Sequence, residues 1–185
     1  MNFTPRLTAA NQLTLTRMLI IPAFVILLLY GYRGWALIAF AAAGITDLFD
    51  GLIARRAGQK TTLGAWLDPV ADKMLLVSMF VMLTLPGVGA PNRLPLWFTI
   101  LVISRDVGIV ATVAVVNLAV GHRTFPPSIY GKIATALYIV TGVAALYFDY
   151  LGQHSGLVTA LVYASLVITV VSAGDYAVKV ARMGH

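Results

Sequence analysis

Six apolar runs bounded by Gly, Pro and charged residues, at about 12–31, 34–57, 64–86, 94–120, 127–150 and 155–181, occupy nearly the whole chain. An α-helix needs roughly 20 mostly apolar residues to cross the hydrocarbon core of a bilayer. Each run therefore predicts one crossing. With 59% hydrophobic and 11% charged residues, the 185-residue chain exceeds what a globular surface tolerates. The expected fold is an all-α integral membrane protein of six transmembrane helices, forming a single membrane domain over 1–185.

The connections GYRG, AGQKTT, GVGAPNR, GHRTFP and GQHS are short, and the chain has no internal repeat, low-complexity tract or linker. Arg6 and Arg17 accompany the first apolar run, and no small-residue cleavage site follows a short hydrophobic core, so the run reads as a retained helix. The preceding TPRLTAAN carries the weak amphipathic pattern of a short interfacial helix. Cysteine is absent, which excludes disulfides and thiolate metal sites.

The net charge of +6 is dispersed among apolar runs and forms no basic stripe, which argues against a nucleic-acid partner and for anionic lipid and phosphate-bearing substrates. Among the loops and ends, Arg6, Arg55, Arg56, Lys60, Arg123, Lys179 and Arg182 fall on one side, and Arg33 and Arg93 on the other. That asymmetry places both termini and the 2–3 and 4–5 loops in the cytoplasm.

The acidic residues are more informative. There is no glutamate, and of seven aspartates four, Asp47, Asp50, Asp68 and Asp72, fall within 26 residues. A carboxylate inside a membrane helix is costly unless paired, solvated or metal-bound, so such a cluster points to function. At about 100° per residue, Asp47, Asp50, Gly51 and Ala54 share one face of the second helix, and Gly64, Asp68 and Asp72 form a row on the third. A six-residue loop joins these antiparallel helices, so the rows should face one another near the cytoplasmic side.

Lys73 points about 100° away from Asp72, and Arg55 lies at the cytoplasmic end, too few cations to neutralise four carboxylates. Divalent cations are the natural complement. An all-oxygen donor set suits Mg²⁺ or Mn²⁺, and four carboxylates can hold two ions, an arrangement suited to a diphosphate substrate.

The spacing Asp47-x2-Asp50-Gly51-x2-Ala54-Arg55-x8-Gly64-x3-Asp68-x3-Asp72 resembles the complete signature of the CDP-alcohol phosphatidyltransferase family. The resemblance implies a six-helix, usually homodimeric enzyme of phospholipid biosynthesis. The first three aspartates would bind metal, and Asp72 would share that role or act as general base. Gly51, Ala54 and Gly64 would make room for the nucleotide of CDP-diacylglycerol, and Arg55 would contact its phosphate; close helix packing is the other reading of the glycines. Asn11-x2-Thr14-x2-Arg17 is similar to the start of glycerophosphate-type members, where Asn11 and Thr14 could bond the diphosphate or simply cap the helix. The resemblance and the charge asymmetry together imply a protein of the bacterial inner (cytoplasmic) membrane with its active site facing the cytoplasm.

The expected reaction is attack of an acceptor hydroxyl on the lipid-bearing phosphorus of CDP-diacylglycerol, with CMP leaving. Arg105 and Lys132 are the candidates to hold an acceptor phosphate, unless Arg105 is paired with Asp106 or Asp175. IPAFVILLLY and PSIYGKIATA are similar to phosphatidylglycerophosphate synthases, whose acceptor is glycerol 3-phosphate. VISRDV is similar to CMP-forming cardiolipin synthases, whose acceptor is phosphatidylglycerol. The first acceptor is favoured. Intramembrane prenyltransferases also use aspartates and Mg²⁺, but their chains are longer and lack this Gly-Ala-Arg-Gly spacing. A small transporter or channel would distribute polar residues across the bilayer.

Overall fold

The computed structural model describes residues 9–57, 62–88, 90–120 and 129–183, with side chains described over 15–46, 70–88, 90–111 and 129–175. These form α1 (Ala9–Leu29), α2 (Arg33–Ala57), α3 (Thr62–Thr84), a single 3-10 turn (Pro86–Val88), α4 (Leu96–Val120), α5 (Ile129–Tyr150) and α6 (Gly156–Met183). The described residues are all-helical, with no strand. Every apolar run became one helix. Of the segment expected to lie in the interface, residues 4–8 are outside the described residues and residues 9–11 form the first turn of α1.

Among the described residues, two helical stretches are each long and apolar enough to cross a membrane, Ile129–Tyr150 and Gly156–Asp175. The described parts of α1 and α2, Leu15–Leu29 and Arg33–Thr46, are apolar as well. Large apolar side chains stand on the outside, with Leu19 74%, Trp35 65% and Ile129 67% exposed. So many exposed apolar groups suit a lipid environment.

The chain divides into two compact units, 1–89 and 90–185. In the first, α1 packs along both α2 and α3. Ala36 and Ala43, seven residues apart on α2 and both fully buried, let the helices approach closely, and Phe24 of α1 meets Phe40 of α2 with ring centroids 5.7 Å apart. The chain leaves α1 through a Schellman turn: the Gly31 amide donates to Leu28 O and the Tyr32 amide to Leu27 O, while Gly31 sits at φ +77°. A side chain at that φ would be strained, so glycine is needed there for backbone reasons.

In the second unit, α6 packs against α5 and α4. Ala134, Tyr138, Thr141 and Ala145 are buried on one stripe of α5; Val158, Val162, Ser165, Thr169 and Ser172 are buried on one stripe of α6. The spacing of both stripes alternates by four and three, so they form a continuous seam. Hydroxyls bridge it: Thr141 Oγ1 and Ser165 Oγ lie 3.1 Å apart, and Tyr138 bonds Thr169. Where lipid offers no hydrogen bonds, such pairs join helices that hydrophobicity alone would not. At the end of α5 the first cap is repeated, with Gly152 at φ +68°, its amide donating to Asp149 O, and the Gln153 amide donating to Phe148 O.

Candidate functional site

The aspartate signature lies on two uninterrupted helices. Asp47, Asp50, Gly51, Ala54 and Arg55 are within α2, Gly64, Asp68 and Asp72 within α3, and Asn11 and Thr14 within the first two turns of α1. Continuous helix preserves the i, i+3 and i, i+4 spacings on which the same-face rows rest. Of these residues only Asp72 has a described side chain; the other nine side chains lie outside the described residues. Among the described residues no group of three or more His, Asp or Glu side chains gathers as a metal site.

Asp72 is 43% exposed, and its Oδ1 accepts a hydrogen bond from Arg17 Nη1 at 2.5 Å. Arg17 itself is fully buried. Lys73, Arg55 and Arg56 are the cations of α2 and α3 beside the aspartates in sequence, whereas Arg17, a cation that reaches Asp72, comes from α1, 55 residues away. The Asn11-x2-Thr14-x2-Arg17 pattern sets Arg17 on the α1 side carrying Asn11 and Thr14 but does not name Asp72 as its partner.

In the second unit, Arg105 of α4 reaches the backbone of α5 one residue before Lys132. Arg105 Nη2 donates to Gly131 O at 3.1 Å, the carbonyl just before Lys132, whose side chain is exposed. Arg105 Nη1 donates to Asp106 Oδ1 at 2.9 Å, in an ion pair whose side chains are 11% and 16% exposed. The pairing with Asp106 is therefore present, and it engages only part of the fork. Arg105 Nε is buried and has no hydrogen-bond partner among the described residues. A buried donor left unbonded is unusual in native structures and signals a missing partner. A phosphate oxygen is one that a guanidinium edge would attract.

All four aspartates offer only oxygen donors, the chemistry hard divalent cations select, and the exposure of Asp72 lets a ligand reach it. The donor set thus fits Mg²⁺ or Mn²⁺.

The family model described as CDP-alcohol phosphatidyltransferase matches residues 7–171. A Mycobacterium tuberculosis protein named "Probable phosphatidylglycerophosphate synthase" is 35% identical over 182 residues, spanning 94% of this chain and 81% of that protein. The CMP-forming cardiolipin synthase of Streptomyces coelicolor is 35% identical over 137 residues, spanning 70% of this chain and 60% of that protein. That of Homo sapiens is 35% identical over 159 residues, spanning 75% and 50%.

Proposed function

The chain belongs to the CDP-alcohol phosphatidyltransferase family, and from that membership we propose that it transfers the phosphatidyl group of CDP-diacylglycerol to glycerol 3-phosphate, releasing CMP. As a family member it is a membrane-associated transferase of phospholipid biosynthesis acting on a CDP-lipid and an alcohol. The acceptor is the finer part of the reading. It is supported above all by Arg105, whose buried, unbonded Nε–H stands where its Nη2 reaches the carbonyl preceding Lys132. A guanidinium edge and an ammonium complement a dianionic phosphomonoester better than the single charge of a phosphodiester.

The family uses divalent metal, and here Asp47, Asp50, Asp68 and Asp72 would hold it, as two Mg²⁺ or Mn²⁺ ions. When bound, the metal offsets the charge of the diphosphate and of the departing CMP. The remaining roles fall to the chain's own residues. Arg55, with Asn11 and Thr14, holds the CDP phosphates, and the small Gly51, Ala54 and Gly64 admit the nucleotide. Arg105 and Lys132 orient the acceptor through its phosphate. Asp72 takes the proton of the attacking hydroxyl as the new O–P bond forms and the P–O bond to CMP breaks.

In this reading the chain is one catalytic domain over 1–185 with six membrane crossings, working as a homodimer. The family match runs through both compact units, which supports treating them as one domain. The Lys and Arg asymmetry of the loops supports a cytoplasmic active site in a bacterial inner membrane. VISRDV supports a second acceptor, phosphatidylglycerol, which would make the product cardiolipin. Purified protein in detergent, given CDP-diacylglycerol, Mg²⁺ and either acceptor, separates the two through the headgroup of the product. Phosphatidylglycerophosphate is expected; cardiolipin would transfer the assignment to the second acceptor, and no CMP with either would overturn the reading.

A further inference from the structure

Arginine is among the residues least often fully buried, because taking a guanidinium out of water costs several kcal/mol unless an anion comes with it. Arg17 is nonetheless 0% exposed, two turns into α1, on the helix that packs against both α2 and α3. Among the described side chains, Asp72 is an anion that meets it, through Oδ1 at 2.5 Å.

The pair is unequal. Asp72 remains 43% exposed while Arg17 is wholly enclosed. The arginine is thus the fixed member, walled in by helix packing, and the carboxylate is the more exposed member. One oxygen is held by a rigid, planar donor, and the side chain remains reachable. That is how a carboxylate is preorganised, because its rotamer is set before any ligand arrives. A lysine in the same position would supply charge without the planar fork that sets direction.

We propose that Arg17 is a positioning residue for phosphatidyl transfer, holding the Asp72 carboxylate in its working orientation from across the α1–α3 contact. The inference rests on the role given to Asp72 above. It assigns to Arg17 an effect on the rate of the chemical step, exerted through Asp72, and none on the binding of the nucleotide.

A structural tether between α1 and α3 would behave differently. Its loss would lower the melting temperature and the folded fraction, leaving kcat per folded enzyme unchanged. The full chain in detergent, as wild type, Arg17→Met and Arg17→Lys, separates the two through four measurements: kcat, KM for CDP-diacylglycerol, calorimetric binding of CMP with Mg²⁺, and the melting temperature. Misplacement of a catalytic group by an ångström costs on the order of 100-fold, so Arg17→Met should lose roughly that in kcat, with KM and CMP affinity within about threefold of wild type. Arg17→Lys should recover part of the loss and remain roughly tenfold below wild type, since it restores charge without geometry.

A kcat for folded Arg17→Met within about threefold of wild type overturns the proposal, as does a loss confined to KM or CMP affinity. Should Arg17→Met not fold, Arg17→Lys decides alone: a tenfold lower kcat supports the proposal, and a wild-type kcat overturns it. The wild-type arm keeps the two readings apart. No CMP from wild type with either acceptor removes the proposed function, whereas an active wild type whose Arg17 variants match it removes only the role of Arg17.

Discussion

Asp149 at the end of α5 and Asn92 before α4 are joined twice through one carboxylate oxygen: Oδ1 accepts from the Asn92 backbone amide at 2.8 Å and from its Nδ2 at 3.0 Å. Asn92 Nδ2 also donates to Gln153 O at 2.7 Å, and its Oδ1 accepts from the Ser155 amide at 2.7 Å. One asparagine thereby fastens the entry to α4 onto the turn between α5 and α6. Asp149 is only 2% exposed, so any donor it loses leaves charge stranded in the packing. Asn92→Ala should lower stability by about 2–4 kcal/mol. At roughly 2–4 °C per kcal/mol for a chain of this size, the melting temperature in detergent should fall by several degrees. An unchanged melting temperature would show that the network contributes little.

The turn this network grips depends on Gly152 at φ +68°. A Cβ added there would meet nothing within 4 Å, so substitution is penalised through the backbone alone. Gly152→Ala should cost about 1–2 kcal/mol, the usual left-handed penalty, without affecting CMP release per folded enzyme. Thermal melting beside the activity assay checks both halves.

For Asp72 the expected effect is chemical. Asp72→Asn keeps the shape of the side chain and removes the base, so CMP release should fall roughly 10²–10⁴-fold, the span usual for a general base. Calorimetric CMP binding in saturating Mg²⁺ should fall far less than turnover, because Asp47, Asp50 and Asp68 still hold metal, and chelation of the metal should abolish turnover of the parent enzyme until Mg²⁺ or Mn²⁺ is returned. Turnover retained by the variant would remove Asp72 from the role of base.

The helices were readable because each apolar run between Gly, Pro and charge is long enough to be one helix and nothing else. The ends moved by a few residues where local chemistry intervened; α1 stops at Leu29, since Gly31 closes a Schellman turn. The aspartate signature was readable because its spacing lies within two adjacent helices. Arg17–Asp72 and Asn92–Asp149 were not, since their partners are 55 and 57 residues apart, and neither periodicity nor a local motif encodes which helices meet. The hydroxyl seam of Tyr138, Thr141, Ser165 and Thr169 also went unread. Single Ser and Thr residues in an apolar run carry no mark of their partner.

Arg105 offers the sharpest test of the acceptor. Its Nη1 is engaged by Asp106 and its Nη2 by Gly131 O, so the group is held in direction before any substrate arrives. If the buried Nε–H edge meets the acceptor phosphate, Arg105→Lys keeps a charge and loses the fork. A lost hydrogen bond to a charged group costs about 1.5–3 kcal/mol, which corresponds to roughly 10–150-fold in kcat/KM for the acceptor. The KM for CDP-diacylglycerol should move little, because that substrate is assigned to the aspartate helices. Initial rates at varied glycerol 3-phosphate, with the CDP-lipid saturating, measure the first quantity, and the reverse series measures the second. Equal losses for both substrates would mean that Arg105 supports the fold around the site and does not hold the acceptor.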